Sequence, residues 1–158
     1  MIYKGVKLRI YPNQEQQIKI KLNFGYNRFV WNQMLNMLIE RHENNPEAKF
    51  LNAFTLDFLL KPLKEEHPWL KDAESHSLQQ TCKDLLEAYK KFFKQHQGFP
   101  KFKSRKYPKQ SYRSNTGTYM VDSNHIKLPK LGVVYFKSGR QPKGKIKNAT
   151  IRLSATGK

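Results

Sequence analysis

The sequence predicts an α+β protein in which a small sheet or β-barrel is interrupted by an inserted helical bundle. Three observations lead there. The chain opens on one short alternating run, "KGVKLRIYP". Its middle is helical in period, and after Gly98 it breaks into short β-branched runs punctuated by Gly, Pro, Asn and Ser. A strand at the start must pair its backbone groups somewhere, and the helical block offers no partner. Pairing with the C-terminal strands is the economical solution. The expected boundaries are 1–12 plus 98–158 for the β domain and 13–97 for the helical one.

In the first run Val6, Leu8 and Ile10 alternate with Lys7, Arg9 and Tyr11, the pattern of a half-buried strand with a basic outer face. Pro12 ends it. Asn13 with Gln16 resembles a capping box and opens a short helix, which Gly25 is expected to break. A second helix, "YNRFVWNQMLNMLIERHE", puts Phe29, Val30, Leu35 (or Met34) and Leu38 on one face. A third apolar stretch is expected to be helical up to Lys61, where Pro62 interferes. The fourth helix opens on Ser75 or Ser77 and carries Leu78, Cys82, Leu85, Leu86, Tyr89 and Phe93 at helical spacing. Cys82 within that series reads as a buried structural thiol. The runs "YMVDSNHIKLPKLGVVYFKSG" and "KIKNATIRLSATG" read as strands of a small sheet or barrel.

Charge dominates the composition. The formal net charge is +18 over 158 residues, with a pI near 10.0. Residues 1–97 hold 15 Lys and Arg against 11 Asp and Glu, whereas residues 98–158 hold 15 against Asp122 alone. Such an excess opposes compactness unless a polyanion relieves it, and nucleic acid is the common polyanion. An anionic membrane is the rival. The single cysteine rules out an internal disulfide and a CxxC zinc knuckle. The N-terminus lacks the apolar core of a secretory signal, and no run of 18 apolar residues exists.

Self-contained catalysis is not expected. Metal-dependent hydrolysis needs converging carboxylates, and the β half has one acid. His42, His67, His76, His96 and His125 show no HxH or HExxH spacing, and neither GxSxG nor a P-loop occurs. The stretch "GFPKFKSRKYPKQSYR" (98–113) instead alternates six basic residues with Phe99, Phe102, Tyr107 and Tyr112. Its cations give a phosphate-facing field, and Tyr107 and Tyr112 are candidates to stack on unpaired bases. Phe99 and Phe102 are expected to pack. Pro100 and Pro108 oppose the continuous amphipathic helix that a membrane surface would want. At the polar start of the fourth helix stand Ser75, His76, Gln79 and Gln80. Gln can pair with adenine, and a helix N-terminus favours phosphate; ordinary capping and surface polarity explain the same residues.

The series "KLRIYPNQEQ", "GYNRFVWN", "WL…SLQQTCKDLLEAYKKFF", "GFPKFKSR", "QSYR" and "IKLPKLG" resembles, in order and spacing, the N-terminal part of TnpB, the OrfB protein of bacterial insertion sequences. The resemblance implies an RNA-guided DNA nuclease related to type V CRISPR effectors. In that family a wedge (WED) β-barrel is interrupted by a helical recognition (REC) domain, and the older label for the helical region is a helix-turn-helix. A RuvC-like nuclease domain and a zinc ribbon follow. By the resemblance, guide RNA is held by Lys7, Arg9, Arg28, Lys101, Lys103, Arg105, Lys106 and Arg113. A target-adjacent motif in double-stranded DNA is read near Asp57, Ser75, His76, Gln79 and Thr116.

The chain stops at Lys158, where the family would lead into its nuclease domain. The expectation is therefore a binding module with no catalytic residue and no metal site. Mg²⁺ and Zn²⁺ belong with the parts beyond it. Two alternatives stand beside this. A second polypeptide bearing the RuvC domain could complete a split endonuclease, or the helical block could act as a helix-turn-helix DNA-binding regulator. The expected location is the bacterial cytoplasm, at the nucleoid, with no membrane partner.

Overall fold

The computed structural model describes residues 4–47, 51–106, 110–114, 117–137 and 144–153. Strand β1 (Arg9–Tyr11) leads into helix α1 (Gln14–Asn44) through the capping box that Asn13 and Gln16 predict. The Gln16 N–H donates to Asn13 Oδ1 at 2.8 Å, and the Asn13 N–H donates to Gln16 Oε1 at 3.0 Å. The Gln16 side-chain amide also donates to the carbonyls of Val133 (2.8 Å) and Leu131 (3.3 Å), fastening the start of α1 to the sheet.

The break expected at Gly25 does not occur; α1 runs on for 31 residues. A glycine inside a helix costs about 1 kcal/mol relative to alanine. Here Phe24 and Asn27 are buried on either side of it, and that packing outweighs the local preference. The "NFGYNRF" junction is therefore mid-helix, without a helix-turn-helix corner. Continuity matters, because α1 serves two cores. Ile20 and Phe24 pack with the strands, whereas Val30, Met34, Leu35 and Leu38 pack with the other helices.

Helix α2 (Ala53–Glu66) is capped by Asn52, whose Oδ1 accepts from the Thr55 N–H at 2.8 Å. It passes through Pro62 instead of stopping at Lys61. Proline frees the carbonyl four residues back, at Phe58, and both residues lie on the exposed side where water replaces the lost bond. A 3₁₀ turn (Pro68–Asp72) then inserts Leu70 into the helical core. Helix α3 (Ser75–Gln95) closes that core with Leu78, Cys82, Leu85, Leu86 and Tyr89, the register its spacing predicts.

The remaining strands are β2 (Ser111–Ser114), β3 (Tyr119–Met120), β4 (His125–Leu128), β5 (Gly132–Lys137) and β6 (Ala149–Arg152). Strand β1 pairs antiparallel with β5, so the N-terminal strand does find its partner near the C-terminus. The order β1-β5-β4-β3 makes a four-stranded sheet, and β2 and β6 make a separate antiparallel pair. Among the described residues these sheets do not close into a barrel. Helix α1 lies over the open side, and Ile20 and Phe24 fill the space against Ile126, Leu128, Val134 and Phe136. The β4–β5 corner turns at Lys130 (φ 67°) and Gly132 (φ 80°), the second a conformation that suits a residue without Cβ.

Candidate nucleic-acid interface

Leaving α3, the chain crosses back over α1 in extended form, held by side chains of that helix. Trp31 Nε1 donates to the Lys101 carbonyl at 2.9 Å. Asn32 takes both backbone groups of Lys103, donating to its carbonyl at 3.0 Å and accepting from its N–H at 2.7 Å. One asparagine thus does the work of a neighbouring strand. Phe99 packs edge-on against Phe92 at 4.9 Å and Tyr89 at 5.9 Å, the anchoring role expected of it, while Phe102 is exposed. The fixed backbone presents Lys101, Arg105 and Lys106 to solvent. The Lys103 ammonium is drawn over the Trp31 ring, 4.0 Å from its centroid. Desolvation there holds its pKa below the ordinary lysine value, partly offset by Asp84.

Two more of the predicted basic residues join this seam. Arg28 Nη1 donates to Gln110 Oε1 at 3.3 Å. Arg113, on β2, reaches Asp84 Oδ1 at 3.4 Å, and Gln80 Nε2 donates to the same oxygen at 2.9 Å. Lys7 and Arg9 lie elsewhere, at the β1 edge of the sheet, with Arg9 opposite Lys137. The basic residues named from the sequence therefore fall into two groups, a seam along α1 and a sheet edge.

Tyr112 does not stack on bases. It is 6% exposed and sits edge-on to Phe24 at 5.6 Å, and burial drives its phenol pKa upward, reinforced by Glu74. Its role is core because "SYRS" is a strand whose register turns Tyr112 inward, which removes it as a stacking candidate. The alternation of Tyr112 and Ser114, both buried, with Ser111 and Arg113 carried the signal in only four residues. Tyr107 lies outside the described residues.

At the start of α3, Ser75, His76 and Gln79 are exposed, whereas Gln80 is buried. The helix N-terminus does not await a phosphate. Glu74 already caps it, Oε1 accepting from the His76 N–H at 3.1 Å and Oε2 from the Ser77 N–H at 2.7 Å. An incoming anion would meet that carboxylate. Asp57 is half-buried on α2, where burial raises its pKa and Lys83 partly offsets the rise. Its Oδ1 is enclosed and has no hydrogen-bond partner among the described residues. Thr116 lies outside the described residues. The Cys82 thiol is pushed up to about 12 by burial and by Asp57, which makes it inert and structural.

A buried polar network went unread in the sequence. Asn23 and Asn27, one turn apart on α1, both donate to Ser77 Oγ, at 3.2 and 3.1 Å. Ser77 Oγ donates to the Glu74 carbonyl at 2.6 Å, the Glu74 N–H donates to Asn23 Oδ1 at 3.0 Å, and Thr81 Oγ1 donates to Asn27 Oδ1 at 2.6 Å. The network fixes where α3 begins relative to α1, and hence where Ser75, His76 and Gln79 emerge. Two asparagines four apart, on the side of α1 that also carries Ile20, Phe24 and Val30, were the available clue.

A family model for a helix-turn-helix domain of the OrfB insertion-sequence type matches residues 1–47. Over 154 residues the chain is 35% identical to "Putative RNA-guided DNA endonuclease InsQ" of Escherichia coli (strain K12), covering 96% of this chain and 38% of that protein. Over nearly all of its length the chain is thus similar to a protein of the TnpB/OrfB family. It is also 26% identical over 131 residues to "Putative RNA-guided DNA endonuclease" of Streptomyces pristinaespiralis, covering 82% of this chain and 32% of that protein. The chain thus spans less than two-fifths of the length of either of these relatives. The segment bearing the helix-turn-helix label folds, in its described residues, as β1 followed by the single helix α1. Among the described residues no group of three or more His, Cys, Asp or Glu side chains is placed to hold a metal ion. No helix among the described residues is long and apolar enough to cross a membrane.

Proposed function

We propose that this chain is the nucleic-acid-binding N-terminal module of a TnpB-like RNA-guided DNA nuclease. The strands with the first turns of α1 act as the wedge, and the helical core acts as the recognition domain. The observation that carries this is the seam along α1. Trp31 and Asn32 hold the backbone extended at Lys101–Lys103, before the turn at Arg105 and Lys106, so that these cations line up beside Arg28 and Arg113. A row of cations on a fixed backbone follows a phosphate chain without paying for loop ordering at each encounter. Guide RNA occupies this seam, and the exposed start of α3, with Ser75, His76 and Gln79, faces target-adjacent duplex. In this reading the residues bind and do not cut, and they need no cofactor to do so. Their setting is the bacterial cytoplasm.

The test is binding of structured RNA by the purified chain across a salt series. Six phosphate contacts would give a slope of log affinity against log salt of about −4 to −5. Lys101→Ala with Arg105→Ala should make the slope shallower by about 1.5. Affinity that is flat from low to high salt would overturn the reading, as would a clear preference for duplex DNA over structured RNA.

A further inference from the structure

The outer face of the four-stranded sheet is not used by the seam. Opposed residues of an antiparallel pair share a face, so the register sorts the side chains. Ile10, Phe136, Val134, Ile126 and Leu128 point to the core. Tyr11, Tyr135 and His125 therefore form one row across three strands on the other side. Their rings are in contact, Tyr11 to Tyr135 at 5.7 Å and Tyr135 to His125 at 5.7 Å. Tyr119 shares the face, two rungs along. These tyrosines are unusually open, at 43% (Tyr11), 43% (Tyr135) and 54% (Tyr119).

The row is flanked by cations on both sides. Arg9 and Lys137 oppose each other on one flank, and Lys127 stands on the other. Lys137 and Lys127 are each two residues along their strands from the aromatic row, about 7 Å, and the Arg9 guanidinium reaches over Tyr11, 5.4 Å from its ring centroid. The acid beside it, Asp122, is taken by the His125 ring at 2.9 Å and the Asn124 N–H at 2.8 Å. Exposed aromatic faces with a basic border fit a base with its phosphates. A duplex cannot use them, because its bases are already stacked, and a membrane would want apolar tips instead of hydroxyls and cations.

We propose that this sheet face, centred on Tyr11, Tyr135 and His125, is a stacking platform for unpaired RNA bases. The proposal rests on the RNA-binding reading above and adds a second site to it. Bases stack on the tyrosine rings, and Arg9, Lys127 and Lys137 meet the phosphates on either side.

The test uses the purified chain with a fluorescent single-stranded oligouridylate, a duplex RNA and a single-stranded DNA, all of one length. In the Tyr11→Ser, Tyr135→Ser double variant, single-stranded RNA affinity should fall by at least about tenfold, while duplex affinity moves by less than about twofold. The salt slope should not change, because stacking releases no counterions. Tyr135→Phe should keep wild-type affinity. If the serine variant fails to fold, Tyr135→Trp still decides: its added fluorescence should be quenched by single-stranded RNA. Equal losses on duplex and single strand, no loss on single strand, or no quenching would overturn the platform. Single-stranded DNA bound as tightly as RNA, with the same tyrosine dependence, would overturn the assignment to RNA. A wild-type chain that binds no RNA fails both readings, whereas one that binds RNA without tyrosine dependence fails only this one.

Discussion

Trp31 both holds the chain beside Lys103 and carries its charge. Its Nε1 donates to the Lys101 carbonyl at 2.9 Å, and its ring lies 4.0 Å beneath the Lys103 ammonium. Trp31→Phe removes the hydrogen bond and weakens the cation–π contact, for a loss of about 1–2 kcal/mol. The more telling readout is local. Trypsin should cut the variant faster after Lys101, Lys103 and Arg105, while the helical core keeps its protection. Unchanged cleavage at those sites would mean that Asn32 alone holds the segment.

Ser77 is the common acceptor for two buried amides. Ser77→Ala leaves the Asn23 and Asn27 side chains each short of a partner, at a cost of about 1–3 kcal/mol in unfolding free energy. Urea denaturation measures it. A loss of a few tenths of a kcal/mol would show that water or a rearranged asparagine fills the gap.

Asp57 opposes folding at neutral pH. Its pKa is raised in the folded state, so the unfolded chain ionises more easily. Above the folded pKa the folded state bears the whole penalty. As pH falls through the folded pKa toward the unfolded value near 3.8, the folded state takes up the proton first and stability is regained. Asp57→Asn should therefore raise Tm at pH 7, with the gain shrinking as pH approaches 4. A Tm difference that is constant with pH would exclude this account.

Asp84 restrains the seam. It lies 3.4 Å from Arg113 and acts on Lys103, so it competes with phosphate for two of the cations. Asp84→Asn preserves an oxygen for Gln80 and removes the charge. RNA affinity at low salt should rise by about two- to fivefold, the worth of one exposed ion pair, and the gain should fade at high salt. Weaker binding would show that Asp84 positions Arg113 instead of sequestering it.

By itself the sequence determined the mixed α+β class, without the barrel it also led one to expect, the pairing of the first strand with the last third of the chain, the apolar face of α3 and the concentration of charge after Gly98. Each is written in period or composition, and period survives whatever the element packs against. It also carried the resemblance to the TnpB/OrfB family, through the order of its short motifs. The tertiary structure decided what depends on neighbours. Gly25 and Pro62 are helix breakers by propensity, yet packing on both sides of Gly25 and solvent over Phe58 let α1 and α2 run through them. Tyr112 is core because β2 pairs with β6, and Tyr11, Tyr119 and Tyr135 are exposed because the register turns them outward. A tyrosine looks the same in sequence on either face of a sheet; only the strand opposite fixes which face it takes.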